Sequence, residues 1–338
     1  MQSRTDKALI DASRPFAHDD PSRTWMHIAA TLAVLTASTA AALALPWWPA
    51  RLAAAIVSGL TIVRMFIIYH DFMHGAVLRK SWPARAVLYT YAMLAMTPPR
   101  VWRETHNYHH AHTAKIIGSH VGSYAMVTPQ IWAKMSKRDR LRYKITRHPL
   151  TIALGYFTIF MYGMCVSPLL RSPKKNWDSA VSLLVNWTLT GLLIGFFGFD
   201  VFFFGYGLPL AIATAVGAYL FYAQHNFPEV HVQPRESWSY TRAALESSSY
   251  MKMGPVMSWF TGNIGFHHVH HLNAQIPFYR LPEAMAAIPE LQDPPTTTLS
   301  PRDVLACFRL KLWDPEQKKM IGYPADEAVD VTQTLSRA

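Results

Sequence analysis

Charge is scarce in this chain. Asp, Glu, Lys and Arg make up 16% of its 338 residues, against roughly 25% in an average soluble protein. Apolar residues reach 51% and gather in long runs, so a water-soluble globule is not the expected form. Cysteine is nearly absent. Cys165 and Cys307 stand far apart in sequence, which excludes a disulfide framework and a Cys-x-x-Cys metal knuckle. Each reads as a small buried hydrophobe. There is no Gly-x-Gly-x-x-Gly dinucleotide fingerprint and no His-Glu-x-x-His zincin helix. There is no Glu-x-x-His, which removes the carboxylate di-iron bundles. Residues 1 to 24 are polar, hold Pro15 and Pro21, and contain no short apolar segment ending in small residues. A cleavable signal peptide is therefore not expected, and the N-terminus is expected to stay in the cytoplasm.

What charge there is leans one way, to a net +11. Seven basic residues fall between Lys134 and Arg147: Lys134, Lys137, Arg138, Arg140, Arg142, Lys144 and Arg147. They read as contact with anionic headgroups of the cytoplasmic leaflet, or simply as the positive-inside signal of a membrane protein. Nothing argues for nucleic acid.

Four apolar stretches approach the roughly 20 residues that a helical span needs: Trp25–Leu45, Leu52–Tyr69, Ala180–Phe197 and Val201–Tyr222. A fifth, Leu150–Leu170, is almost as long. Arg142, Lys144 and Arg147 precede it and Arg171, Lys174 and Lys175 follow it, so both its ends prefer the cytoplasm. It reads as a re-entrant or interfacial element. The turns Pro46–Arg51 and Gly198–Asp200 are short and poor in basic residues and suit the outer side. The expected architecture is all-α and integral to the membrane. Two helical hairpins make four spans, with both termini cytoplasmic and a cytosolic helical cap. A bacterial inner membrane is the expected location. The chain then divides into a polar N-terminal segment (1–24), a membrane domain (25–290) and a cytosolic C-terminal segment (291–338). The tail after Trp313 is polar and is expected on the surface or disordered.

Histidine is abundant where charge is not. Of 16 histidines, nine form four short groups. His70 and His74 continue the second span at positions i and i+4, on one helical face. His106, His109 and His110 follow the i, i+3, i+4 pattern, and His267, His270 and His271 repeat it. His225 follows the fourth span. With Leu150–Leu170 not crossing, all four groups face one side of the membrane. Neutral imidazole binds iron, zinc, copper and nickel. Nine imidazoles exceed the four ligands of a tetrahedral zinc site and suit two ions with open positions. Ionisable groups bunched beside spans are costly and usually functional. His112 and His268 stand next to these residues but out of register. His18, His27, His120, His148 and His231 read as surface or interfacial. Asp71, Asn107, Asn226 and Asn263 are candidates to orient the ligands, with helix caps or surface roles as the alternative.

In order and spacing, His70/His74, His106/His109/His110 and His267/His270/His271 resemble the histidine boxes of the membrane fatty-acid desaturase superfamily. The resemblance covers most of residues 25 to 290. The flanks Asn263-Ile-Gly-Phe-His-His-Val-His-His-Leu and Ile276-Pro-Phe-Tyr-Arg-Leu look like the acyl-lipid branch that includes omega-6 (delta-12) desaturases. The first box, HxxxH, is similar to that branch. The resemblance implies a di-iron centre held by the box histidines, with His225 as the additional ligand. It also implies O2 as co-substrate and cleavage of an unactivated C–H bond. A separate electron donor, such as ferredoxin or cytochrome b5, is implied because no haem or dinucleotide motif is fused to the chain. The basic segment Lys134–Arg147 is a candidate to dock it. Tyr69, Met73, Trp102, Tyr250, Met257, Trp259, Phe260 and Phe266 flank the boxes and are candidates to line an apolar path for an acyl-lipid substrate. Two other readings stand beside this one. A fatty-acid or carotenoid hydroxylase or ketolase carries similar boxes. A membrane metal-binding or transport protein would also use many histidines, but near the middle of the spans.

Overall fold

The computed structural model describes residues 6–118 and 121–324. It is mostly helical. Five helices open the chain: α1 (Asp6–Ser13), α2 (Pro21–Ala44), α3 (Trp48–His74), α4 (Trp82–Leu94) and α5 (Pro99–His112). The second half adds α6 (Trp177–Phe197), α7 (Phe199–Ala223) and the short α8 (His267–Leu272). Four of these, α2, α3, α6 and α7, are long and apolar enough to cross a membrane. α3, α6 and α7 contain the stretches expected from the sequence, while α2 begins four residues before Trp25 and ends at Ala44, one short of the expected Leu45.

The helix ends follow local chemistry. Asp20 caps α2 through the backbone N–H groups of Ser22 and Arg23, with Pro21 in the first turn. Gly75 closes α3 at φ 73°, a left-handed conformation, and the Ala76 N–H returns to the Asp71 carbonyl. That turn makes His74 the last residue of α3. The first turn of α5 has no cap of its own side chains. Asp178 of α6 supplies one, accepting from the Arg100 N–H at 2.8 Å. Two strand pairs complete the fold, Tyr250–Lys252 parallel to Thr296–Thr298 and Leu312–Asp314 antiparallel to Lys319–Ile321.

α3 is the central span. Its apolar window is 56% buried, against 17% for both α2 and α6, so those two leave most of their surface to lipid. The α2–α3 and α6–α7 turns lie together, tied by Arg51 and Asp200 at 2.5 Å. Trp47, Trp48, Phe196, Phe197 and Phe199 stand exposed there as an aromatic rim. The stretch expected not to cross is a broken helix, Pro149–Ala153, then the π-helical Tyr156–Val166, then Ser167–Arg171. Ile152 at its start packs with Ala218 and Tyr222 near the end of α7. Pro168 near its finish accepts a hydrogen bond from Asn176, just before α6 begins. Both its ends therefore sit at the face opposite the aromatic rim.

Three expectations change. The stretch after Trp313 is not a loose tail through residue 324: Trp313 and Met320 face each other across the strand pair and are both buried, and the Trp313 N–H bonds the Val127 carbonyl. Residues 325–338, like His120, lie outside the described residues. His27 is half-buried and partnered: it packs against Phe278 and Tyr279 and meets the buried Arg64 at 3.1 Å. Arg147 does not belong to a headgroup-facing strip. Its guanidinium is buried between the rings of Tyr143 and Tyr222 and bonds the Asn226 side chain and the Ala125 carbonyl. Of the seven basic residues, Lys134, Lys137, Arg138 and Arg142 remain exposed. Replacing Arg147 by methionine is expected to cost about 2–4 kcal/mol, since it strands buried acceptors. Arg138→Ala is expected to stay within about 0.5 kcal/mol. Thermal unfolding in detergent compares the two, and equal midpoints would refute the contrast.

Candidate metal centre

Two histidine groups converge where α3, α5, the end of α7 and α8 meet. His70, His74, His106, His110 and His270 form the first, and His109, His225, His267 and His271 the second. Within each group, one nitrogen per residue lies within 4.8 Å of all the others. All nine residues singled out in the sequence are here. The helical register explains the sorting. On α5, His106 and His110 are one turn apart and serve the first group, while His109 points to the second. On α8, His270 serves the first group and His267 and His271 the second.

The spacing within each group is informative. His106 Nε2 lies 3.0 Å from His70 Nε2 and 3.1 Å from His110 Nε2, which in turn lies 3.0 Å from His270 Nε2. In the second group His225 Nε2 lies 3.0 Å from His109 Nε2 and 2.9 Å from His267 Nε2. A ring nitrogen has either one lone pair or one hydrogen, so it cannot bond two such neighbours at once. Nitrogens about 2.1 Å from a shared ion and at right angles to one another stand about 3.0 Å apart. His74 Nε2 and His271 Nε2 are buried with no hydrogen-bond partner, and both belong to the groups. The donor sets fit two metal ions.

Burial favours the form a metal needs. The imidazoles of His106, His109, His110, His267, His270 and His271 are held well below the ordinary range, first by burial and then by one another. His225 is lowered to about 4 by burial, against the pull of the Ser247 carbonyl. Near neutral pH these rings are uncharged, with a lone pair free to coordinate.

Three rings are oriented through their far nitrogen. His70 Nδ1 donates to Asp71 at 2.8 Å, and the other oxygen of Asp71 accepts the Phe278 N–H at 2.6 Å. His225 Nδ1 donates to the Ser247 carbonyl at 3.0 Å. His271 Nδ1 lies 3.3 Å from Thr113 Oγ1, whose own hydrogen goes to the His109 carbonyl. Such partners fix ring tautomer and direction. Trp102 stacks on His106 at 4.4 Å. Sequence reasoning named Asp71 but missed Thr113 and Ser247. Thr113 left a signal, four residues after His109; Ser247 acts through its backbone and left none.

The other candidates lie elsewhere. Asn107 is exposed. Asn226 serves the carbonyls of Cys307 and Leu310. Asn263 is a turn residue at φ 56° that holds the Phe278 carbonyl. Close by, Gly265 lets its own backbone pass the Met251 carbonyl, which a Cβ would meet at 2.4 Å. His112 stacks on Tyr108, and His268 turns to the Leu291 carbonyl; neither joins a group. His18 and His148 are exposed, and His231 pairs with Glu246.

An apolar crevice of about 20 Å³ lies deeper than the histidines, between Ile62, Phe66, Tyr91, Phe160, Ala213 and Gly217. Phe66 reaches from it to within 6.4 Å of the His70 ring. None of the eight aromatic or methionine residues expected along an acyl path lines it. Tyr69 turns to the Thr97 carbonyl instead, and Met73 faces a polar cleft on the other side of α3. The crevice wall is built from α3, α4, α7 and the broken helix.

A sequence profile for the family described as "Fatty acid desaturase" matches residues 45–299. The chain is 29% identical over 282 residues to a "Fatty acid desaturase" of Bacillus subtilis, covering 83% of this chain and 80% of that one. It is 24% identical over 255 residues to an "sn-1 oleoyl-lipid 12-desaturase" of Anabaena variabilis, covering 72% and 70%. It is 23% identical over 256 residues to an "sn-1 acyl-lipid omega-3 desaturase (ferredoxin)" of Nostoc, covering 69% and 66%.

Proposed function

The chain belongs to the fatty acid desaturase family, and from that premise we propose that it is an O2-dependent acyl-lipid desaturase with a di-iron centre. The proposed ligands are His70, His74, His106, His110 and His270 for one iron and His109, His225, His267 and His271 for the other. The observation that carries this reading is the convergence of nine buried imidazoles into two groups at about 3 Å spacing.

Bound irons supply the redox chemistry that O2 reduction and cleavage of an unactivated C–H bond require. The reaction balances as follows: a –CH2–CH2– unit, O2, two electrons and two protons give –CH=CH– and two waters. The protein's part is to hold and orient. Asp71, Thr113 and Ser247 fix three of the rings. Burial keeps the imidazoles neutral and excludes bulk water. The crevice beyond Phe66 receives the methyl-ended part of an acyl chain once its aromatic walls turn aside, since about 20 Å³ holds little more than one water. The electrons come from a separate protein of the ferredoxin type, as the Nostoc relative's name states for that enzyme. The membrane is a bacterial inner membrane, with the centre and both termini cytoplasmic. The exposed basic residues Lys134, Lys137, Arg138 and Arg142 at the histidine face support that orientation.

Only His70 and His74 of the nine lie on a span, at its very end, which suits an oxidase better than a transport path at mid-membrane. Lipid profiling by mass spectrometry, after expression in a strain lacking polyunsaturated lipids, tests the reading. Acyl chains two hydrogens lighter are expected. A product one oxygen heavier, or an altered carotenoid with unchanged acyl chains, would move the protein to the hydroxylases. The crevice has its own test. Ala213→Phe fills it and is expected to cut conversion at least tenfold with iron content unchanged. Unaltered conversion would place the acyl chain elsewhere.

A further inference from the structure

A second cavity lies beside the first histidine group and shares only His74 with it. It is an open cleft of about 440 Å³ where α3 ends and α4 and α5 face each other. Arg79, Arg85 and Arg103 line it, with Tyr89, Gln275 and His74. A volume of this order is that of a small-molecule site. Arg79 and Arg85 are exposed, and among the described residues none of the three arginines pairs with a carboxylate. Arg103 reaches only the Tyr89 hydroxyl, at 3.5 Å, and the Met73 sulfur. The nearby Glu104 is taken by Lys175 at 2.5 Å. Three guanidinium groups thus face one concavity without a counter-charge. Guanidinium matches phosphate with two parallel hydrogen bonds.

The position of the cleft says what kind of anion it takes. Trp82, at the start of α4, is 78% exposed, which marks the headgroup layer. His74 is shared between the cleft and the first histidine group, while Ile62 and Phe66 of the same helix line the apolar crevice. From Ile62 to His74 along α3 is about 18 Å. A cationic cleft, the histidine centre and an apolar crevice therefore follow one another along a single helix.

We propose that this cleft binds the phosphate-bearing head of the acyl substrate, so that the chain enters the centre head outward and methyl end toward Phe66. This rests on the acyl-desaturase reading for the identity of the tail. The chemistry recognised is a phosphate ester, borne by a glycerophospholipid or by an acyl thioester of CoA or a carrier protein. A flat acidic protein surface fits a concave cleft less well, and a general attraction to anionic membrane would need no cleft.

The test uses the full-length, iron-loaded protein in a neutral detergent, with the double variant Arg79→Gln/Arg85→Gln. Both side chains are exposed, so the fold is expected to be kept. Equilibrium binding is measured for dioleoyl phosphatidylglycerol, oleoyl-CoA and dioleoylglycerol. The expected result is a Kd at least tenfold weaker for one of the two phosphate ligands and unchanged for dioleoylglycerol. The phosphate ligand that responds names the source. In turnover, KM rises in parallel and kcat stays within twofold. Unchanged Kd for both phosphate ligands overturns the proposal. A raised KM for the electron-donor protein alone overturns it in favour of protein docking. Weaker association with anionic vesicles, with binding in micelles unaltered, overturns it in favour of a membrane contact. Arginine-dependent phosphate binding by a wild-type protein that forms no double bond supports the cleft and removes the desaturase reading, so the two fail separately.

Discussion

Replacing His225 by alanine is expected to abolish desaturation while the protein still inserts and folds. His225 Nε2 is the junction of the second group, within 3.0 Å of both His109 and His267. Without it three imidazoles remain there, and two of them lose their shared neighbour. Loss of a partner that merely orients a ligand costs roughly 10–100-fold in metal affinity or activity. Loss of a ligand itself is expected to exceed that, so turnover should fall more than about 100-fold. Iron measured on the purified protein should drop from about two per chain toward about one, with the first group spared. His268→Ala is the control. It lies among the same residues but turns to the Leu291 carbonyl, so iron content is expected to stay. Full activity in His225→Ala, or equal iron loss in both variants, would refute the assignment.

A second large effect is expected at Asp71, which touches no metal. Its two oxygens are both engaged, one by His70 Nδ1 and one by the Phe278 N–H. Phe278 is also held by its carbonyl through Asn263. The carboxylate thus fixes a ligand ring and pins the segment that follows α8 against α3. Asparagine replaces one of these two oxygens by an NH2 donor, which would face another N–H. Asp71→Asn is expected to lower activity roughly 10–100-fold through weaker iron retention. Chelator challenge separates this from simple unfolding: the variant should lose iron faster than wild type at a temperature where both remain folded. Iron loss at the wild-type rate would show that Asp71 acts on the fold alone.

Much of the fold was legible beforehand because its signals are local. A span is a run of apolar residues, and a helical face is a spacing of three or four. The basic residues at both ends of Leu150–Leu170 keep it from crossing, and Ile152 and Pro168 lie at one face. The features that sequence does not show depend on distant partners. Arg147 reads as one more surface cation until Tyr222 and Asn226 arrive from α7. His27 meets Arg64 only once α2 and α3 pack together. The apolar crevice combines α3 with walls from α4, α7 and the broken helix, which no local pattern brings together. Ser247 offers a backbone carbonyl, which no residue type announces.

The histidine site divides the same way. Amino-acid order picks out which nine histidines stand apart, because i, i+3 and i+4 spacing places rings on one side of a helix whatever surrounds it. It also determined that they lie at one membrane face, through the count of spans. How nine rings become two sets of five and four is a matter of packing between helices. Neighbours such as His109 and His110 differ by about 100° around their helix, so adjacent residues face different groups. Which partner each one finds depends on where α3, α7 and α8 stand, and that is settled by packing across the whole chain.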